Sequence, residues 1–146
     1  MIRLSGEIGA RLLLHMKIEE DILYPALKEV INVEEVDEGI VEHQVARNLI
    51  LDITRMTGRE EMFKSKVHVL GEETMHHIDE EDSKLFEGAK EAWEEGKIDL
   101  VELGQQLSAR CKELYDRLDS IGREMDQPKV EMPVGDDIEE LPASVP

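Results

Sequence analysis

The chain has 146 residues, enough for one domain with a sizeable core, and carries 35 acidic against 17 basic side chains, a formal net charge of −18. That balance excludes the clustered Lys and Arg that phosphate contacts need, so neither nucleic acid nor an anionic membrane surface is expected as a partner; cations are favoured, although a solvated acidic surface is the commoner reason for such a charge. Cys111 is the only cysteine, so no intrachain disulfide can form. No apolar run approaches the ~20 residues that span a bilayer. Glu7, Arg11 and His15 interrupt any apolar leader, and a cytoplasmic location is expected.

Aromatics make up only 3 % of the chain, so the core must be aliphatic. Four segments show helical periodicity. The first runs from about Ile2 to Tyr24, with Leu4, Ile8, Leu12, His15, Glu19 and Ile22 on one stripe. Pro25 lacks an N–H and predicts a kink or stop there, with helix resuming from Ala26 to Ile31. The second segment runs from about Glu34 to Met56, with Val36, Ile40, His43, Ile50 and Ile53 on its stripe; Thr57 and Gly58 end it, since glycine tolerates the positive φ of a helix terminus.

The third segment runs from about Arg59 to Trp93, with Phe63, Val67, Leu70, Thr74, His77, Glu81 and Leu85 on its stripe. Gly96 separates it from the fourth, Leu100 to Gly122, which carries Leu103, Leu107, Leu114, Leu118 and Ile121. From Met125 onward Pro128, Pro133, Pro142 and Pro146 are spread through an acidic stretch, which predicts a disordered tail. The expected organisation is a bundle over residues 1–95, a C-terminal helix over 97–124 and a tail over 125–146.

Two stretches echo each other at a fixed offset (15 to 77). His15 matches His77, Glu19 matches Glu81, Leu23 matches Leu85, and Tyr24 matches Phe86. A step of four residues turns a helix only ~40° past a full turn, so each His-x-x-x-Glu pair presents imidazole and carboxylate on one face. Both pairs continue the apolar stripe of their helix. A buried unpaired charge costs several kcal/mol, and a shared cation would remove that cost from both helices. His43 falls on the core stripe of the helix between them.

This pattern resembles the hemerythrin-like (HHE) cation-binding family, which is marked by two His-x-x-x-Glu helices, each followed by Leu-aromatic-Pro, with a lone His between them. The chain has His15-x-x-x-Glu19 with Leu23-Tyr24-Pro25, then His43 in Glu42-His43-Gln44-Val45-Ala46-Arg47, then His77-x-x-x-Glu81 with Leu85-Phe86. Glu87 stands where proline is usual. The resemblance covers roughly residues 2 to 95. It implies an all-α up-down bundle with a dinuclear non-haem iron centre, in which His15, His43 and His77 are terminal ligands and Glu19 and Glu81 bridge the metals. Imidazole and carboxylate suit iron, and sulfur is absent from the set.

The family's pattern also includes an earlier helix with a further His ligand, and no His precedes His15 here. The bundle is therefore expected to lack that helix and to carry an extra C-terminal one. Leu13, Leu14 and Ile18 would be partly exposed, and the chain is expected to self-associate or to pack its fourth helix into the gap. In the second case iron should approach one per chain rather than two, or the second iron should be weak.

Ordinary roles are expected for the remaining candidates. His68 should face solvent or a partner, and His76 should lie at the rim or support a ligand from behind. Glu20 and Glu80 read as surface acids, with Glu20 the better placed to support a ligand. Cys111, Tyr24 and Phe86 read as core. A ferritin-like site needs two Glu-x-x-His motifs and only Glu73-x-x-His76 is present; His-Glu-x-x-His is absent, which excludes a zinc protease signature. Three functions remain open: a protein that binds or senses O2 or NO at iron, a di-iron enzyme or iron-repair protein acting on NO or peroxide, and a metal-free structural bundle. A redox centre of this kind is tuned by pocket access and by the groups behind its ligands, which periodicity does not reveal.

Overall fold

The computed structural model describes residues 2–126. Among them there are helices and turns and no strand, as an all-α bundle requires. The first rod consists of α1 (Ile2–Ile18), a π-helical turn π1 (Glu19–Leu23) and α2 (Tyr24–Lys28). After α3 (Val33–Thr54), a third rod repeats that composition with α4 (Phe63–Glu80), π2 (Glu81–Leu85) and α5 (Phe86–Glu94), and α6 (Leu100–Asp126) is the last described element. Met125 and Asp126, read as the start of the tail, still belong to α6; the rest of the tail, and the side chains of Leu4 and Ile121, lie outside the described residues.

Local chemistry sets the ends of these rods. Asn32 caps α3 by accepting from the Glu34 N–H at 3.1 Å, and Asp99 accepts from the Val101 and Glu102 N–H groups at 2.9 and 3.0 Å ahead of α6. Gly58 and Gly96 adopt φ of 78° and 72°, which end the helices before them. Pro25 neither stops nor breaks its rod. The chain widens into π1, where the Tyr24 N–H bonds the Glu19 carbonyl five residues back, and then resumes as α2. The same widened turn occurs at Glu81, where the Phe86 N–H bonds the Glu81 carbonyl, although Glu87 replaces the proline. Proline is therefore not what makes the turn. Each turn begins at a buried glutamate, and such insertions are frequent at functional sites.

Cross-rod contacts define an up-down arrangement. Glu20 meets Arg47 and Lys28 meets Asp37, so α3 runs antiparallel to the first rod; Asp52 meets Lys66 and Glu38 meets Lys84, so the third rod runs antiparallel to α3. On α6, Arg110 reaches Asp21 at 3.0 Å and Tyr115 stacks beneath Arg11. The fourth helix thus packs along the first rod, and Ile18, expected to be partly exposed, is buried. It does not fill the space between α1 and α4. There an apolar groove of about 400 Å³ remains, lined by Leu12, Phe63, Leu70 and Thr74, and it leaves Ile8 and Val67 exposed although both fall on predicted core stripes.

Two apolar clusters form the core. One joins Leu23, Tyr24, Leu27, Val36, Leu85, Ala89 and Leu103, and the other joins Met16, Ile50, Ile53, Phe63 and Leu70. The buried polar residues Glu19, His43, His77 and Glu81 come from the first three rods, while α6 adds only Leu103 to these clusters. Phe86, expected in the core, is 38 % exposed, although Leu85 beside it is buried. Cys111 is half-buried rather than buried.

Candidate metal centre

Each rod supplies its part of the site from a position its sequence pattern fixes. The i, i+4 spacing sets the His15 Nε2 3.0 Å from Glu19 Oε1, and the His77 Nε2 3.5 Å from Glu81 Oε1. α3 inserts His43 between them, with its Nε2 3.0 Å from the His77 Nε2 and 3.3 Å from Glu19 Oε2. All five predicted site residues therefore converge. They form two overlapping groups whose donor atoms lie within 4.8 Å of one another: Glu19 with His43 and His77, and Glu19 with His15 and Glu81. Glu19 belongs to both.

Two observations test whether these residues fit a metal. The first is the orientation of the imidazoles. His43 Nδ1 lies 3.0 Å from Glu20 Oε1, and His77 Nδ1 lies 2.7 Å from Glu42 Oε2. An ionised carboxylate only accepts, so both Nδ1 atoms donate, and in neutral imidazoles both Nε2 atoms then present lone pairs. Two lone pairs facing each other at 3.0 Å repel unless a cation lies between them. The second is Glu19 Oε2, which is buried and accepts no aligned hydrogen bond. A buried carboxylate oxygen left in this way is costly, and a metal ion satisfies it. The donor set fits a metal of the imidazole-and-carboxylate class.

The electrostatics of the two glutamates differ. Burial pushes the Glu19 carboxyl up, but the hydrogen bond with His15 and the nearby His43 imidazole outweigh it and hold the group below its ordinary value. Glu81 is pushed above its ordinary value by burial and by the Glu19 charge. His15 is raised, first by its hydrogen bond to Glu19. The Tyr24 hydroxyl is raised by burial and by the neighbouring Glu81 and Glu19 charges.

The groups behind the ligands were only partly legible. Glu20, read mainly as a surface acid, holds His43, and Arg47 fixes it with contacts of 2.9 and 3.1 Å to its two oxygens. Glu42 was missed, although it directly precedes His43 and one residue of rotation turns it toward α4. Tyr24 is core as expected, at 1 % exposure, yet its hydroxyl reaches Glu81 Oε1 and His43 Nε2, both at 3.2 Å. His68 is solvent-exposed beside Glu72, and His76 lies at the rim 3.9 Å from Glu42.

The Hemerythrin HHE cation binding domain family matches residues 1–89, and the chain belongs to that family. It is thus a metal-cation-binding helical protein with His and Glu groups placed for a metal. Searches of curated proteins and of solved structures return no match. Among the described residues no helix is long and apolar enough to cross a membrane.

Proposed function

We propose that this chain is a non-haem iron protein that binds or senses O2 or NO at a di-iron site held by His15, Glu19, His43, His77 and Glu81. The observation that carries the reading is the pair of donor groups sharing Glu19, which gives one carboxylate two metal positions to bridge. Bound iron supplies a redox-active centre with affinity for small diatomic ligands. The protein's part is to position the ligands. Glu20 and Glu42 fix the tautomer and ring orientation of the buried His43 and His77.

The apolar groove between α1 and α4 supports a small, weakly polar ligand. Leu12 and Thr74 line it, each one turn before a histidine of the site. The position built from His15, Glu19 and Glu81 has a single imidazole, and it is the weaker one. A reducing, cytoplasmic setting suits ferrous iron and the free Cys111. The test is iron per chain together with absorption spectra of anaerobic protein before and after O2 or NO. The expected result is between one and two irons and a spectrum that changes with the gas and reverts on its removal. Folded protein that takes up no iron would overturn the reading. Sustained turnover of peroxide or NO with a reductant would replace it with the enzymatic one.

A further inference from the structure

Four donor atoms close a ring at the buried end of the site. Tyr24 Oη to His43 Nε2 is 3.2 Å, His43 Nε2 to His77 Nε2 is 3.0 Å, His77 Nε2 to Glu81 Oε1 is 3.5 Å, and Glu81 Oε1 to Tyr24 Oη is 3.2 Å. Ligands about 2.1 Å from one metal ion and at right angles to each other lie roughly 3 Å apart. Three of the four edges are 3.0–3.2 Å, including the one between two imidazole nitrogens that cannot both donate, and the His77–Glu81 edge is longer at 3.5 Å. The phenol oxygen thus stands in the same relation to His43 and Glu81 as the His and Glu atoms stand to one another. It also touches one residue from each of the two donor groups.

A second feature keeps the phenol there. Gly39 on α3 faces the hydroxyl, and a Cβ at that position would lie 2.8 Å from Tyr24 Oη and 3.7 Å from His77 Cε1. Only a glycine lets α3 approach this closely. The widened turn π1 contributes as well. Tyr24 is five residues after Glu19, a spacing that in a regular α-helix falls ~140° around the axis, whereas the π turn brings the residue back toward the Glu19 face. The equivalent residue of the second repeat is Phe86, which has no hydroxyl and points outward.

We propose that Tyr24 is itself a metal ligand, donating its phenolate oxygen alongside His43, His77 and Glu81. This rests on the iron-binding reading above. On coordination the hydroxyl proton passes to solvent, an iron–oxygen bond forms, and no oxidation state changes. A phenolate is a hard anionic donor, so Tyr24 biases the centre toward the ferric state, which suits redox sensing better than oxygen storage.

The test is the visible spectrum of the full chain loaded with ferric iron. A phenolate-to-iron charge-transfer band is expected, with tyrosinate modes enhanced in resonance Raman. Tyr24→Phe should lose the band completely while keeping most of the iron, and should raise the reduction potential. Gly39→Ala should shift or weaken the band by displacing the phenol. Tyr115 is the only other tyrosine, and Tyr115→Phe should leave the band unchanged; that variant and the wild-type band decide the matter even if Tyr24→Phe fails to fold. Iron-loaded protein without the band, or a band that persists in Tyr24→Phe, overturns the ligand assignment alone. Folded protein that binds no iron overturns the iron reading along with it.

Discussion

His15 and His77 hold the same place in the repeat, four residues before a buried glutamate that opens a π turn. Their surroundings are not the same. The His77 side chain is 9 % exposed, held at Nδ1 by Glu42 and packed edge-on against the His43 ring, whereas the His15 side chain is 49 % exposed. The reason is what each imidazole meets: His77 packs on Glu42 and His43 of α3, whereas His15 pairs with Glu19 one turn on in its own rod. At the far end of the repeat the contrast reverses, with Tyr24 inside and Phe86 outside. One pattern has therefore been put to two uses. The second repeat supplies the buried imidazole, and the first supplies the shared carboxylate and a buried phenol. Local spacing sets what a helix face presents, and neighbouring helices decide whether that face is enclosed.

The largest effect expected from this contrast is on stability. Truncating Tyr24 to Ala should cost about 3–5 kcal/mol, as for other fully buried aromatics. Phe86→Ala should cost only about 1 kcal/mol, because much of that ring already meets solvent. Chemical denaturation of the two metal-free variants measures both, and equal costs would break the comparison. On the metal side, His77→Ala should strip most of the bound iron, His15→Ala should lose only the weaker fraction, and His68→Ala should lose none. Metal analysis after desalting ranks the three, and similar losses from His15→Ala and His77→Ala would mean that exposure does not distinguish the two positions.

A smaller effect should come from the groups behind the ligands. Glu42→Gln removes the ionised acceptor on His77 Nδ1, and a loss of about 10- to 100-fold in iron affinity is expected. Glu20→Gln should act likewise through His43, which a competitive chelator titration would detect.

The smallest effect concerns the two glutamates in metal-free protein and carries opposite signs. Glu81 sits above its ordinary value in the fold, so ionised Glu81 costs stability at neutral pH, and that cost disappears as pH falls below the unfolded value. Glu81→Gln should raise the melting temperature at about pH 7 and leave it unchanged at about pH 4. Glu19 sits below its ordinary value, so it contributes stability above the unfolded value that is lost as pH falls through the folded one. Glu19→Gln should lower the melting temperature at neutral pH, with the deficit fading in acid. Thermal scans across that range, run with a chelator present, check both signs.

The sequence by itself determined the helical class, the four periodic segments and the five convergent His and Glu residues. Those follow from spacing along one chain, because residues at i and i+4 share a helix face wherever the helix lies. Gly58 and Gly96 were legible for the same local reason. What only the tertiary structure decided depends on which helices become neighbours. Periodicity placed Ile8 and Val67 in the core, but α6 lies along the first rod and leaves the groove beside them open. Glu42 could be known as the partner of His77 only once α3 and α4 were packed antiparallel. Tyr24 required more still. Its hydroxyl reaches the site because a π turn shifts the register after Glu19 and because Gly39 lets α3 come close. A backbone hydrogen bond five residues back and a missing Cβ on another helix leave no trace in hydrophobic periodicity, and together they bring a phenol hydroxyl to the buried His and Glu residues.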